Sequence, residues 1–518
     1  MAAAVRELVS VNPATLEEVG RAEVASADAI ANAVATAVST QVRWNRARAP
    51  SLLADVAQAL LDHADAVART ITAETGKPLV ESFTIDVFTA LENLVWLARR
   101  ARSILQDERV ESPFWLRHKH PRVVYEPLGV VAVLGPWNVP LAIALSQAAA
   151  AVAAGNAVLV KPSERAPLTG AWIEGLFAEA GAPEGLVRVV QGGVGVGETL
   201  VRSGEIGRVL FTGSTASGRA VAAAAADRLC PVTLELGGKD PMVVLADADF
   251  DRASRGAAWG AFAGSGQLCT GVERIYVEEA IFDPFVEALI ERAERLRVGS
   301  GEELETEVGP LIAEEQRARV EALLGEALDR GAEVRAGGRR PDVGLPGWFY
   351  APTVVTGAGL RDEEVFGPVV SVEPFATDAD AVQRVNASRF GLGASVWTSD
   401  LDRAARLAGQ LRAGMVWTND HAYSYGLGSA PWGGRGASGY GRTHSRHGLY
   451  DLVNIKLVDA DRGRIVVPWW FPYDRGAREG LAGLLEVLYR PGVARKVDAA
   501  WRHRGPLLSL AARYVSRR

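Results

Sequence analysis

The chain has 518 residues, 48% hydrophobic and 23% charged, with 54 Gly and 25 Pro spread along it; this length exceeds one ordinary core and predicts a soluble globular protein of two large domains. A net charge of −6 argues against a nucleic-acid binder. Two cysteines, Cys230 and Cys269, make neither a disulfide framework nor a zinc site, so no metal is expected and a reducing, cytoplasmic setting is.

The opening "MAAAVRELVSVNPATLEEVG" lacks a basic region followed by a sustained apolar one, so no signal peptide is expected. Residues 26–106 read as successive helices, with Leu52, Leu53, Val56, Leu60 and Leu61 at helical spacing. "PRVVYEPLGVVAVL" then reads as strands over 122–134, broken at Pro127. Next, helices near 141–154, 167–180 and 196–203 alternate with the apolar runs "AVLVKP", "LVRVVQG" and "RVLFTGS". That alternation predicts a parallel, doubly wound sheet, which binds ligands at the C-terminal ends of its strands. The apolar stretch 139–160 is interrupted by Pro140, Ser146, Gln147, Gly155 and Asn156, which argues against a membrane span. Strands near 241–246, 274–278, 352–356, 369–375 and 394–398 predict a second α/β domain, and "GEELETE" at 301–307 a solvated acidic loop.

Two glycine-containing turns compete for a phosphate. In "QGGVGVGETL" the third glycine of a dinucleotide fingerprint falls on Glu198 or Leu200, so this is read as a tight strand-to-helix turn. In "FTGSTASGR", Gly213 and Ser214 end an apolar strand and open an Ala-rich helix, whose exposed N–H groups attract a pyrophosphate. "VLVKPSERAP" sets Lys161 and Glu164 at another strand end, either as holders of nucleotide hydroxyls or as an ordinary solvated end. Lysine is scarce, six against fifty arginines, and Lys77, Lys161, Lys239 and Lys456 all stand in tight contexts that favour a compact ammonium. Cys269, in "GSGQLCTG", has small neighbours instead of a dense apolar shell, whereas Cys230, in "RLCPVTLE", reads as inert packing.

These pieces, with "ETGKP", "GPWNVP", "AGNAVLVKPSE", "LELGGKDP", "EEVFGPVV" and "PWGGRGASGYGR", resemble the aldehyde dehydrogenase superfamily from about residue 8 to about residue 458, and bacterial succinate-semialdehyde dehydrogenases within it. The separations Asn138 to Cys269 (131), Glu235 to Cys269 (34) and Cys269 to Glu364 (95) are similar to the family's. The resemblance implies an α/β, aldehyde dehydrogenase-like fold. A Rossmann-type cofactor domain would cover 1–111 and 128–236, an α/β catalytic domain 237–430, and a small β oligomerisation element 112–127 and 431–460, forming a homodimer or homotetramer. It implies NAD(P)-dependent oxidation of an aldehyde to its acid through a thiohemiacetal and thioester on Cys269. The Asn138 amide and the Cys269 N–H would hold the oxyanion, and Glu235 would activate water, which favours hydrolysis over acyl transfer to coenzyme A. Trp137, Gly213 and Ser214 would lie by the pyrophosphate, Lys161, Ser163 and Glu164 by the adenosine ribose, and Glu364 and Phe366 by the nicotinamide ribose and ring. Glu164 would accept from both ribose hydroxyls and repel a 2′-phosphate, so NAD is expected, with NADP still compatible through Lys161 and Ser163. One departure is Gly264, where the family usually has asparagine.

The implied substrate wall, Val139, Ile143, Ser146, Leu268 and Thr270, is apolar or small and uncharged, which favours an aliphatic or aromatic aldehyde. A succinate-semialdehyde dehydrogenase, the alternative, would want a buried arginine; none stands among these positions, and Arg412 or the loop 421–429 is left to supply a polar contact. Two readings from other classes are a thiol hydrolase or acyl transferase, and a noncatalytic NAD-binding or structural relative. Beyond 460 the resemblance stops. The tail 461–518 holds twelve Lys plus Arg against five acidic residues, three tryptophans, and Leu481, Leu484, Leu485 and Leu488 on one face. It suits peripheral membrane contact or docking on another subunit, and both stay open.

Overall fold

Val130–Leu134 is buried at all five positions, as a central strand of a parallel sheet must be when helices cover both faces. In the computed structural model, which describes residues 7–116, 118–357, 360–461, 467, 470–471 and 473–515, this strand lies inside a six-stranded sheet. The strand order is Gly439–Tyr440, Val232–Glu235, Ile206–Thr212, Val130–Leu134, Ala157–Lys161, Val187–Val189, parallel except for the first pair. From Val130–Leu134 the chain winds one way through Ala157–Lys161 to Val187–Val189, then returns to Ile206–Thr212 on the other side. That reversal is a topological switch point, and the loops after Leu134 and Thr212 flank its crevice.

A second sheet has seven strands in the order Glu333–Ala336, Thr353–Thr356, Val369–Phe375, Val272–Glu278, Asp240–Val244, Ser395–Trp397, Trp417–Thr418. All its pairs are parallel but the first, which is antiparallel. One face packs on Phe262, Phe285 and Leu289, the other on Ala381, Ala404 and Leu407. The strands expected at 241–246, 274–278, 352–356, 369–375 and 394–398 are all present, to within two residues at either end. The hairpin Glu7–Val11 with Glu18–Glu23, and the two-residue strands Trp417–Thr418 and Gly439–Tyr440, are too short or too polar to show in an apolar pattern. "QGGVGVGETL" forms the tight turn expected, with the helix Val194–Arg202 opening just after Gly193.

The N-terminal helices Ala27–Arg43, Ala49–Asp62, Ala64–Thr75 and Thr89–Ile104 also follow the sequence pattern. Between the last two, Asp86 is fully buried, takes the Lys77 ammonium at 2.6 Å, and accepts the N–H groups of Leu141 and Ala142 at 3.1 and 3.2 Å. It thereby caps the helix Pro140–Ala153, whose leading loop carries Trp137 and Asn138.

The chain divides into two compact units, one running to Gln106 and from Tyr125 to Ile455, the other from Asp107 to Val124 and from Lys456 onward. In the second, Glu108 and Arg109 pair antiparallel with Val123 and Arg122. The tail forms three helices, Arg475–Tyr489, Val493–Arg502 and Arg504–Val515. Its leucine face is mostly an internal seam. Leu481, Leu484 and Leu488 are half-buried while Leu485 stays exposed. At that seam a β-carbon on Gly480 would stand 2.7 Å from the Pro506 carbonyl oxygen, and one on Gly483 2.5 Å from His503. Among the described residues, no helix is long and apolar enough to cross a membrane.

Candidate active site

After the helix Phe250–Phe262, a turn over Ala263–Gly266 delivers the chain to Cys269. Gly264 and Ser265 both have φ of 58°, and Gly266 has 70°. Three successive left-handed residues need external support, because only glycine adopts that conformation without strain. The Gly264 N–H donates to both oxygens of Glu81, at 3.1 and 2.9 Å, and the Ser265 hydroxyl donates to the Gly309 carbonyl at 2.8 Å. Gln267 ties the end of the turn: its carbonyl accepts from Asn138 Nδ2 at 2.9 Å and its Oε1 from the Ile312 N–H at 2.9 Å. Glycine at 264 is thus matched to its backbone conformation, and Glu81 supplies the local hydrogen bond.

Cys269 is partly exposed and, like Tyr425, packs against the cluster of Leu392, Met415, Trp417 and Trp432. Its thiol is pushed well above the ordinary range, by burial first and then by Glu235, Asp240 and Glu364. Glu235 ends its strand only 5% exposed. The Thr443 hydroxyl donates to its Oε1 and the Thr212 hydroxyl reaches its Oε2 at 3.5 Å. Burial raises the Glu235 carboxyl to about 7, against the pull of those two bonds and of Arg442. Such a group changes protonation near neutrality, as a general base should.

Across the crevice, Ser214 caps the helix Thr215–Ala226 by accepting from the Ser217 N–H at 3.2 Å, and the Gly213 N–H donates to the Glu235 carbonyl at 3.0 Å. Glu364 Oε1 accepts the Gly238 N–H at 2.9 Å, and burial foremost, then Glu273, raises its carboxyl to about 8. Trp137 and Phe366 meet edge to face at 5.4 Å.

Trp137, Asn138, Gly213, Ser214, Glu235, Cys269, Glu364 and Phe366 therefore line one cleft of about 460 Å³, with Thr212, Gln316, Arg319 and Arg389 among its other walls. Lys161, Ser163 and Glu164 stand outside that lining at the end of Ala157–Lys161, with the Lys161 ammonium 3.0 Å from Glu164. The five residues expected to wall the substrate do not line it either. Val139, Ile143 and Ser146 are buried at the start of the helix Pro140–Ala153, Leu268 is half-buried, and the Thr270 carbonyl is bonded by His421 at 2.5 Å. Ser146 instead lines an inner chamber with Gln147, Thr443 and His444. Sequence reasoning missed Thr443, Gln267, Trp417 and Tyr425. Thr443 directly follows "PWGGRGASGYGR", but only the fold brings it to Glu235, 208 residues away.

A switch-point crevice that receives a cysteine, a carboxamide and a buried carboxylate defines a Rossmann-type α/β enzyme. The family model for the Aldehyde dehydrogenase family matches residues 1–458, and the chain belongs to that family; it is an oxidoreductase acting on aldehydes. It is 36% identical over 473 residues to a betaine aldehyde dehydrogenase of Vibrio vulnificus (strain YJ016), covering 89% of this chain and 95% of that one. It is 38% identical over 439 residues to a 4,4'-diapolycopene aldehyde oxidase of Methylomonas sp, covering 84% and 82%. Among solved structures, betaine aldehyde dehydrogenase from Staphylococcus aureus in complex with NAD+ matches with a TM-score of 0.85 and 34% identity, over 90% of this chain and 94% of that one. These relatives carry other names than succinate-semialdehyde dehydrogenase, so the likeness stands at the level of the family.

Proposed function

We propose that this aldehyde dehydrogenase oxidises an uncharged aliphatic or aromatic aldehyde to its acid with NAD, using Cys269 as nucleophile, Asn138 as oxyanion donor and Glu235 as base. The observation that carries this reading is that all three side chains open into one cleft with Gly213, Ser214, Glu364 and Phe366. The Cys269 sulfur adds to the carbonyl carbon, and its proton needs an acceptor because the surroundings disfavour thiolate. That proton leaves to solvent through the open cleft, so Glu235, poised near neutrality, is free for the later step. Asn138 has two amide protons and gives one to Gln267, so the other is available to the oxyanion. A bound nicotinamide supplies the hydride acceptor. Glu235 then takes a proton from the water that releases the acid from the Cys269 thioester.

The cofactor reading rests on the fit of the crevice. The Gly213 and Ser214 turn opens a helix whose N–H groups suit a pyrophosphate. A β-carbon on Gly237 would stand 2.2 Å from Glu364, which leaves backbone where a ligand needs close approach. Lys161, Ser163 and Glu164 would hold the adenosine ribose, and the Glu164 carboxylate favours NAD over NADP. The complex of the Staphylococcus aureus relative with NAD+ supports the same choice. The division into cofactor and catalytic domains at 236/237, a homodimer or homotetramer, and a cytoplasmic setting complete the reading.

Apolar and aromatic side chains pack around the sulfur, and the arginines lining the cleft, Arg319 and Arg389, stand with Glu364 and Phe390. Arg412 is exposed, outside the cleft lining, and its N–H bonds Asn386 at 2.7 Å. A second reading draws on Trp417, Trp432 and Tyr425, aromatic faces that suit a quaternary ammonium aldehyde such as the relatives are named for. NADH formation with hexanal, benzaldehyde, betaine aldehyde and succinate semialdehyde tests both. The highest kcat/KM is expected for an uncharged aldehyde, and a preference for succinate semialdehyde would remove the apolar reading.

A further inference from the structure

The helix Val493–Arg502 carries an apolar stripe on the side away from its own packing. Ala499 is fully buried and Lys496 and Ala500 half-buried, which marks the inner face. Val493, Val497 and Trp501, spaced by four residues and so aligned along the helix, are 79%, 63% and 69% exposed. The inner face is occupied, because the helix packs against Arg475–Tyr489, where Lys496 Nζ donates to the Leu488 carbonyl at 2.8 Å. The outward stripe therefore adds nothing to the fold. A second group, Trp470, Phe471 and Tyr473, is exposed just before Arg475–Tyr489.

Charge accompanies this apolar surface. All five acidic residues of the tail meet a basic partner: Asp461 with Lys119, Asp474 with Arg513, Glu479 with Arg475, Glu486 with Arg490, Asp498 with Arg502. From Trp470 to Val515, eight basic residues against four acidic ones leave a net charge of +4. The Arg504 guanidinium lies 4.7 Å over the Trp501 ring, so cation and apolar anchor share one edge.

We propose that the tail's residues 470–471 and 473–513 form a peripheral docking surface for a bilayer bearing anionic headgroups, with Val493, Val497 and Trp501 entering the interface. An outward aromatic and aliphatic stripe flanked by surplus cations is what such a surface binds. A second copy is disfavoured as occupant, because two-fold pairing would set the same cationic face against itself. The family match ends at residue 458, so this surface is a feature added to the dehydrogenase.

The test is sedimentation of the full chain with vesicles of phosphatidylcholine alone or mixed with phosphatidylglycerol, beside the triple variant Val493→Asp, Val497→Asp, Trp501→Asp. The replaced side chains are exposed, and circular dichroism and dehydrogenase activity monitor folding. Salt-sensitive binding to the anionic vesicles is expected, falling about tenfold or more in the variant. Equal partitioning of both proteins, or no sedimentation of the parent chain, would overturn the proposal. So would a change of oligomeric state in the variant by light scattering without vesicles, which would assign the stripe to a second copy. A single Trp501→Ala variant, expected to weaken binding less, keeps the test decisive if the triple variant fails to fold.

Discussion

Asn138 Nδ2 donates to the Gln267 carbonyl at 2.9 Å, which ties the loop after Val130–Leu134 to the loop that ends in Cys269. One bond thus fixes the distance between a carboxamide and the sulfur across two sheets. Asn138→Ala removes both the tie and an oxyanion donor, and kcat/KM is expected to fall about 10²- to 10³-fold. Steady-state kinetics beside an unchanged circular dichroism spectrum checks this.

Glu235→Gln keeps the shape of the site but cannot take a proton from water. One equivalent of NADH should form quickly and turnover should then stall, with kcat down about 10²- to 10⁴-fold. Intact-protein mass spectrometry of the stalled enzyme should find the acyl group on Cys269. Cys269→Ala should show neither burst nor adduct.

The raised carboxyl of Glu235 also sets a pH limb. Only the carboxylate accepts a proton, so kcat should climb as pH rises through about 7 and level off above it. The Thr443 hydroxyl bond holds that value down, so Thr443→Val should move the midpoint upward. An unchanged midpoint would separate Thr443 from the base. A pH series of kcat for the two proteins decides it.

The same burial acts on stability. Glu81, Glu235 and Asp240 are raised to about 7 and Glu364 to about 8, in each case chiefly by burial. Between about 4.5 and 7 the unfolded chain releases these protons while the folded chain keeps them, so the unfolded state binds fewer and stability falls as pH rises. Glu235→Gln removes one such penalty, worth at most about 3 kcal/mol. Its thermal midpoint should therefore exceed the parent's at pH 8 by more than at pH 5, as differential scanning fluorimetry would show.

Much of the architecture was legible because buried parallel strands read as unbroken apolar runs. Val130–Leu134 and the apolar run of Ala157–Lys161 needed no partner to be recognised. Cys269, Asn138 and Glu235, which line one cleft, were singled out on another ground, the resemblance of their motifs to the aldehyde dehydrogenase superfamily. Thr443, Trp417 and Tyr425 were not, because their neighbours depend on strand order across the sheets and on the loop from Thr418 to Trp432. The wall residues Ile143 and Ser146 were placed by their position on a helix, and that helix turns them inward, away from the main cleft. The tail's Leu481, Leu484, Leu485 and Leu488 read as one face suited to a membrane or another subunit, yet the close approach of a neighbouring helix at Gly480 and Gly483 leaves only Leu485 exposed.

Adjacent glycines at 237 and 238 make opposite demands. A β-carbon on Gly238 would stand 2.2 Å from the Cys269 carbonyl oxygen, which is backbone and moves only with the whole nucleophile loop. One on Gly237 would stand 2.2 Å from Glu364 Oε2, the far end of a side chain that has other rotamers. Gly238→Ala should therefore displace Cys269 relative to Asn138 and lower kcat, by about 10²-fold for a shift near 1 Å. Gly237→Ala should instead push Glu364 from its place beside the Gly238 N–H, raising the KM for NAD with a smaller effect on kcat. Measuring both constants for both variants tests the division of the cleft into a sulfur side and a cofactor side. If the two substitutions changed kcat and KM alike, that division would fail.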